Sequence, residues 1–332
     1  MTNKERVLAA IHFRDPEYTP HFVDFTTQMY EKMVAYTGDP NYIKTVNNHV
    51  TMTILNAPQV EIRPGFFRDE FGVIWNKTGA DKDIGVIDNI LLQEPEDLET
   101  FQFPPVDEPR IRAQLQELQD SDPNNFRIAA IGFTIFERAW TLRGMEDLLC
   151  DMILNPEFVN ALLDKITENL MQILEIALEY DFDCFHFGDD WGQQKGLIMG
   201  PQAWRTYIKP RMAKLYAKVH EAGKYVSQHS CGDLRDVMED LHEIGLNIYQ
   251  TFQPEIYGYD YAQKLYGKIT VWGGLSTQQA LPCKTPAQIK EILADMMAHF
   301  PHGGLIAAPT HSVPGDVPPE NILAMMEVFQ NQ

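Results

Sequence analysis

From about residue 125 onward, short runs of β-branched and aromatic residues alternate with longer stretches in which apolar residues recur every three or four positions. That alternation is the pattern of parallel strands joined by crossover helices, since a buried strand reads as a brief apolar run and a helix packed on it shows one apolar stripe. Strands are predicted at Arg127–Gly132, Cys184–Gly188, Tyr225–His229, Asn247–Thr251, Ile269–Gly273 and Gly304–Ala308, with Pro20–Phe25 as an early first strand. Between them, a helix from Pro201 to about Ala222 carries Trp204, Ile208, Met212, Leu215 and Val219 on one face. Another holds Leu234, Val237, Met238, Leu241 and Ile244 before Gly245, a residue type suited to the left-handed turn that closes a helix. Both stripes read as core, and the series reads as one α/β barrel.

The stretch from about 30 to 123 breaks the rhythm. It contains a predicted hairpin around FRDEFGVIWNKTGADKDIGVIDN and is punctuated by Pro95, Pro104, Pro105 and Pro109, so it is expected to be an elaboration at one end of the barrel. With no internal repeat or low-complexity segment, residues 1–332 are expected to form a single barrel domain that includes this elaboration.

Composition narrows the function classes. A chain of 332 residues with 44% apolar content can bury a large core. Its net charge of −20, from 47 acidic against 27 basic residues, argues against nucleic acid, which requires clustered lysine and arginine. The opening MTNKERVLAAIHFRDPEYTP is amphipathic and broken by charges, and no apolar run has the length of a membrane span, so a soluble cytoplasmic protein is expected. Cys150, Cys184, Cys231 and Cys283 show no paired spacing; Cys150 and Cys184 sit among apolar neighbours and read as buried small side chains.

Candidate chemistry centres on YVSQHSCGDL. A strand ending at His229 is followed by Cys231, Gly232 and a helix, which places both side chains at the strand's C-terminal end, where barrel active sites lie. Residues i and i+2 of an extended chain share a face, so His229 and Cys231 can hold one ion, and imidazole with thiolate suits zinc. On spacing alone, a core histidine beside a buried thiol accounts for the pair better than a metal site does.

Longer segments narrow the choice. FGDDWGQQKGLIMGPQAWRTYIKPRMAKLYAKVHEAGKYVSQHSCGD, then GKITVWGGLSTQQAL, then GGLIAAPTHSVPGDVPPENILAMMEVF resemble the uroporphyrinogen decarboxylase superfamily, particularly its corrinoid-dependent methyltransferase branch. GFTIFERAWTLRGMEDLLCDMILNPEFV and FRDEFGVIW resemble the same family's earlier segments, so the likeness runs in register through most of the chain. It implies a (β/α)8 barrel of the TIM type and a catalytic zinc held by a His-x-Cys pair, here His229 and Cys231, with a third ligand from a late strand. Thiol-methylating members have a cysteine where this chain has His311 in IAAPTHSVP. His311, Glu255 and Cys283 are the alternatives for that ligand, in that order.

On a neighbouring loop, Asp189 and Asp190 are candidates for orienting a ligand or handling a proton, as is His186 in FHFGDD; Glu137 is a further pocket candidate. Gln193, Trp191, Trp272 and Tyr257 are expected to line the binding region, although aromatic residues in such positions are often plain core. True decarboxylases of the superfamily carry an arginine-rich run near the N-terminus, where this chain has YTPHFVDFTTQMYEKM, so binding of a polycarboxylate macrocycle is disfavoured. Within the methyltransferase branch, exchange of a thiolate for the imidazole of His311 makes zinc a stronger Lewis acid. That favours an O-demethylase type of reaction, from an ether such as a methoxylated aromatic to the cobalt(I) of a corrinoid, a cobalamin-type cofactor carried on a partner protein. The alternatives are methyl transfer from a methyl-corrinoid to a thiol, a decarboxylase, and a non-catalytic ligand-binding barrel; a homodimer is compatible with all of them.

Overall fold

In the computed structural model, residues 1–79 and 85–332 are described. Seven parallel strands lie side by side in sequence order: β1 (Val50–Ile54), β2 (Phe126–Ile131), β3 (Cys184–Gly188), β4 (Tyr225–His229), β5 (Ile248–Phe252), β6 (Thr270–Leu275) and β7 (Leu305–Pro309). Residues 20–25 fill the gap between β7 and β1. His21 bridges Ala307 and Phe25 bridges Val313, both in parallel, while the His49 N–H donates to the His21 carbonyl. The expected strand Pro20–Phe25 is therefore present as the closing segment of a barrel, reduced to isolated bridges.

Alternation along each strand divides the side chains between two cores. Val50, Ile128, Cys184, Ile248, Trp272 and Ile306 form an inner cluster with Val7 and Ile11 of the helix Asn3–Ile11. Outward residues such as Ala129, Phe185, Val226, Tyr249 and Val271 join the helices in a larger outer cluster. The helix predicted from Pro201 runs to Glu221, with a π-helical turn at Trp204–Ile208, and its named apolar residues are all buried.

The boundaries of the elaboration differ from those expected. Val50–Ile54, inside the 30–123 stretch, is a strand of the barrel itself, and Glu108–Gln119 packs on β1 and β2 as a barrel helix. Between them stands a small antiparallel sheet of residues 60–63, 66–68, 74–76 and 86–87. Its 66–68 and 74–76 strands form the first part of the predicted hairpin, with Phe67 opposite Trp75; residues 80–84 of that hairpin lie outside the described residues. Cys184 is buried as expected, whereas Cys150 is exposed on the outer side of its helix. No described helix is long and apolar enough to cross a membrane.

Candidate metal centre at the barrel mouth

The inward phase of β4 carries Ser227 and His229, and its neighbours place His186 of β3 opposite Ser227 and Gln250 of β5 opposite His229. Register thus gathers polar side chains inside the C-terminal end of the barrel. His186 Nδ1 shares a 2.9 Å hydrogen bond with Ser227 Oγ, and burial first, then the neighbouring His229, holds its pKa down to about 3. Gln250 Oε1 accepts from His229 Nδ1, which fixes the ring and leaves Nε2 facing the mouth.

After β4 the chain turns through Gly232 at φ +84° and packs on the loop that follows β3. A Cβ at Gly232 would lie 2.2 Å from the Gly192 carbonyl carbon, so only paired glycines allow this approach. The two loops are stitched together by Trp191 N–H to Ser230 Oγ (2.9 Å), Cys231 N–H to Asp190 Oδ1 (2.7 Å) and Asp233 N–H to the Gln193 carbonyl (2.9 Å). Tyr257 donates from its hydroxyl to the Gly232 carbonyl at 2.9 Å, supporting the turn from beneath.

These contacts bring one donor atom each from Asp190, His229 and Cys231 within 4.8 Å of one another, the one such group among the described residues. Cys231 Sγ lies 3.7 Å from His229 Nε2, and Asp190 Oδ1 lies 3.4 Å from the same nitrogen. Burial opposes a charge on His229, but Asp190 and Cys231 outweigh it and raise its pKa well above the usual value. The field at Nε2 therefore favours a positive charge. Imidazole, thiolate and carboxylate together form a donor set that fits zinc.

His311 stands beside the group, its ring centroid 5.9 Å from that of His229. Its side chain lines two cavities, one of about 510 Å³ that also reaches His229 and Asp190, and one of about 590 Å³ that reaches Cys231. Glu255 lies apart on the short helix Pro254–Tyr257, outside the three-donor group, with Oε1 buried and unpartnered and its pKa raised by burial. Cys283 is exposed and also outside the group.

The other expected site residues divide. His186 and Glu137 line the 510 Å³ cavity. Burial, then Asp190 and Asp189, push the Glu137 carboxyl well above its usual range. Asp189 is fully buried and accepts from the Phe136 and Glu137 N–H groups at 2.9 and 2.8 Å and from Trp191 Nε1 at 2.7 Å. It caps the helix Phe136–Arg143, and burial raises its pKa to about 6 against those bonds. Trp191 packs edge-on against Trp204, Trp272 fills the barrel interior near His186, and Gln193 is exposed in a two-residue strand. With Tyr257, none of these three is among the residues lining either cavity. Sequence reading missed Gln250, and it missed Asp69, Glu70 and Trp75, which the small sheet and its turn carry into the 510 Å³ cavity.

A closed ring of parallel strands with its polar group at their C-terminal ends defines an α/β-barrel enzyme of the TIM type. The family model for uroporphyrinogen decarboxylase (URO-D) matches residues 80–332, and the chain belongs to that family. Two uroporphyrinogen decarboxylases from strains of Thermus thermophilus are 25% and 24% identical to it over 175 residues, 51% of this chain and 47% of theirs. The aligned region thus spans about half the length of those curated relatives. A methyltransferase from Methanosarcina mazei shares the fold over 99% of this chain and 98% of its own, with a TM-score of 0.75 and 15% identity.

Proposed function

We propose that this chain is a zinc-dependent methyltransferase that moves a methyl group from a methyl ether, such as a methoxylated aromatic, to the cobalt(I) of a corrinoid carried on a separate protein. The observation that supports it is the convergence of His229, Cys231 and Asp190 at the barrel mouth, where His229 and Asp190 line a cavity large enough for a small aromatic ligand. In this reading those three residues hold zinc, with His311 as a further donor, and zinc when bound supplies Lewis acidity to the leaving oxygen. One thiolate, rather than several, keeps such an ion a strong acid. Asp190 replaces Glu255 as the carboxylate in the ligand set, because its oxygen is the one that meets His229 and Cys231.

In the transfer, the O–CH3 bond breaks with its electron pair left on oxygen, and the cobalt(I) pair forms the new bond to carbon; the oxygen afterwards takes a proton from water. Gln250 holds the His229 ring, and the polar wall of the cavity orients the ether. The corrinoid protein docks over the open mouth. Decarboxylation of a polycarboxylate is disfavoured, because Arg138 is the one cationic side chain, apart from histidine, among the described residues lining the cavity, and it is bound to Asp69.

Purified without chelator, the protein is expected to contain about one zinc per chain, and Cys231→Ser is expected to lose most of it while remaining folded, since an open site on a large barrel contributes little to folding. Equal zinc in the two proteins refutes the ligand assignment. Mixing methoxylated compounds with reduced corrinoid protein is expected to give the absorption spectrum of methyl-cobalt. Rapid methylation of thiols from methylcobalamin, with no ether cleavage, would assign the opposite direction of transfer.

A further inference from the structure

The 510 Å³ cavity has an unbalanced wall. Asp24, Asp69, Glu70, Glu137 and Asp190 line it, with Arg138 as the single non-histidine cation among the described lining residues. Arg138 is not free to receive a ligand. Its guanidinium lies 2.8 Å from Asp69 Oδ2, both side chains are 5% exposed, and it sits 4.0 Å over the Phe71 ring. Asp69 is saturated in turn by the Trp75 indole and by the N–H groups of Phe71 and Val73. Asp24 takes the Ser312 hydroxyl at 2.6 Å, and Asp190 takes the Cys231 N–H.

Glu70 differs from these. It follows Asp69 in the turn of the small sheet, faces the cavity, and makes no ion pair among the described residues. Glu137 enters the same cavity beside it, its carboxyl pushed up by burial and by Asp190 and Asp189, so Glu70 is the wall's free negative group. The Phe133 ring lines the same cavity, edge-to-face with Trp75 at 5.3 Å. Glu70, a carboxylate without an ion pair among the described residues, and the rings of Phe133 and Trp75 share the wall of one cavity, a setting that a positive ligand group completes and a negative one opposes. A carboxylate on the ligand would meet like charge, and the only guanidinium among the described lining residues is already committed to Asp69.

We infer that the methyl donor is a methyl ether that also carries an ammonium group, the ether at the His229–Cys231–Asp190 end and the ammonium beside Glu70; this rests on the methyl-transfer reading above. The cavity wall therefore selects by charge before any chemistry occurs.

The test is calorimetric titration of the zinc-loaded protein, at neutral pH and without corrinoid protein, with three ligands of matched size. Each has a meta-methoxyphenyl ring, carrying an aminoethyl, a hydroxyethyl or a carboxymethyl side chain. The amine is expected to bind roughly 10-fold more tightly than the alcohol, and the alcohol more tightly than the carboxylate, with the amine's advantage shrinking as salt is added. Glu70→Gln, at an exposed position, is expected to remove most of that advantage and leave the alcohol unchanged. Carboxylate binding equal to or tighter than amine binding, or no binding by any of the three, overturns the inference; unchanged amine affinity in Glu70→Gln overturns the role of Glu70. Adding reduced corrinoid protein separates the two readings. Amine preference without methyl transfer refutes the ether reading alone, whereas carboxylate preference with methyl transfer refutes the charge inference alone.

Discussion

Asp189 and Asp190 are adjacent in sequence and end in opposite surroundings. Successive side chains of an extended segment point to opposite sides, so one turns inward to cap the helix Phe136–Arg143 and the other turns to the mouth beside His229. Their amide variants are expected to separate accordingly. Asp189→Asn disturbs a buried acceptor that receives three donors, so it should lower stability by about 1–3 kcal/mol while zinc is retained. Asp190→Asn should leave thermal stability nearly unchanged and weaken zinc at least ~10-fold in chelator competition. Reversal of the two patterns would show that the aspartates had been assigned to the wrong tasks. The sequence made His229 and Cys231 legible because their i, i+2 spacing is a local property. It could not separate the two aspartates, nor show that Glu255 lies apart and Gln193 points to solvent, because those outcomes depend on how separate loops meet.

The same limit appears among the elements. Strands such as Cys184–Gly188 and Leu305–Pro309 were readable because a strand buried on both faces is a near-continuous apolar or aromatic run. Val50–Ile54 was not, since VTMTI alternates threonine with apolar residues and most of it is only half-buried. Nor does any local signal reveal the contact between the loops after β3 and β4, which rests on the absence of side chains at Gly192 and Gly232. Gly232→Ala tests it. The added carbon would meet backbone rather than a movable side chain, and φ +84° is unfavourable for alanine. The variant is expected to melt several degrees lower and to bind zinc at least ~10-fold more weakly, although no ligand is altered. Unchanged zinc affinity would mean that the loops are not held by that contact.

Across the whole molecule, the seam between β7 and β1 depends on two buried histidines. The rings of His21 and His49 are 4.4 Å apart; His21 Nε2 bonds the Val46 carbonyl, and His49 Nδ1 accepts from the His21 N–H. Burial, then the charges of His21 and Arg6, lowers the His49 pKa to about 3, and burial lowers that of His21. A folded-state pKa below the unfolded value of about 6.5 means that the unfolded chain binds the extra proton. The pair's contribution is therefore fully present above about pH 6.5 and falls progressively as pH drops toward 3, by a few kcal/mol for His49. Urea unfolding of the wild type and of His49→Gln, compared between pH 7.5 and about 4, should show a shallower decline in the variant; parallel declines would exclude the seam as an acid-sensitive element.

That seam also bears on the time course of folding. His21 must find Ala307, a partner far along the chain, and closing so long a loop costs more entropy than any pairing of successive strands. During synthesis at roughly 5–20 residues per second, the interval between the emergence of the two sides is on the order of tens of seconds. Over that interval β1 to β6 can pair in succession, while the segment at 20–25 has only one of its two neighbours. Of the barrel's own strand-like segments, the first to leave the ribosome is the last to be enclosed.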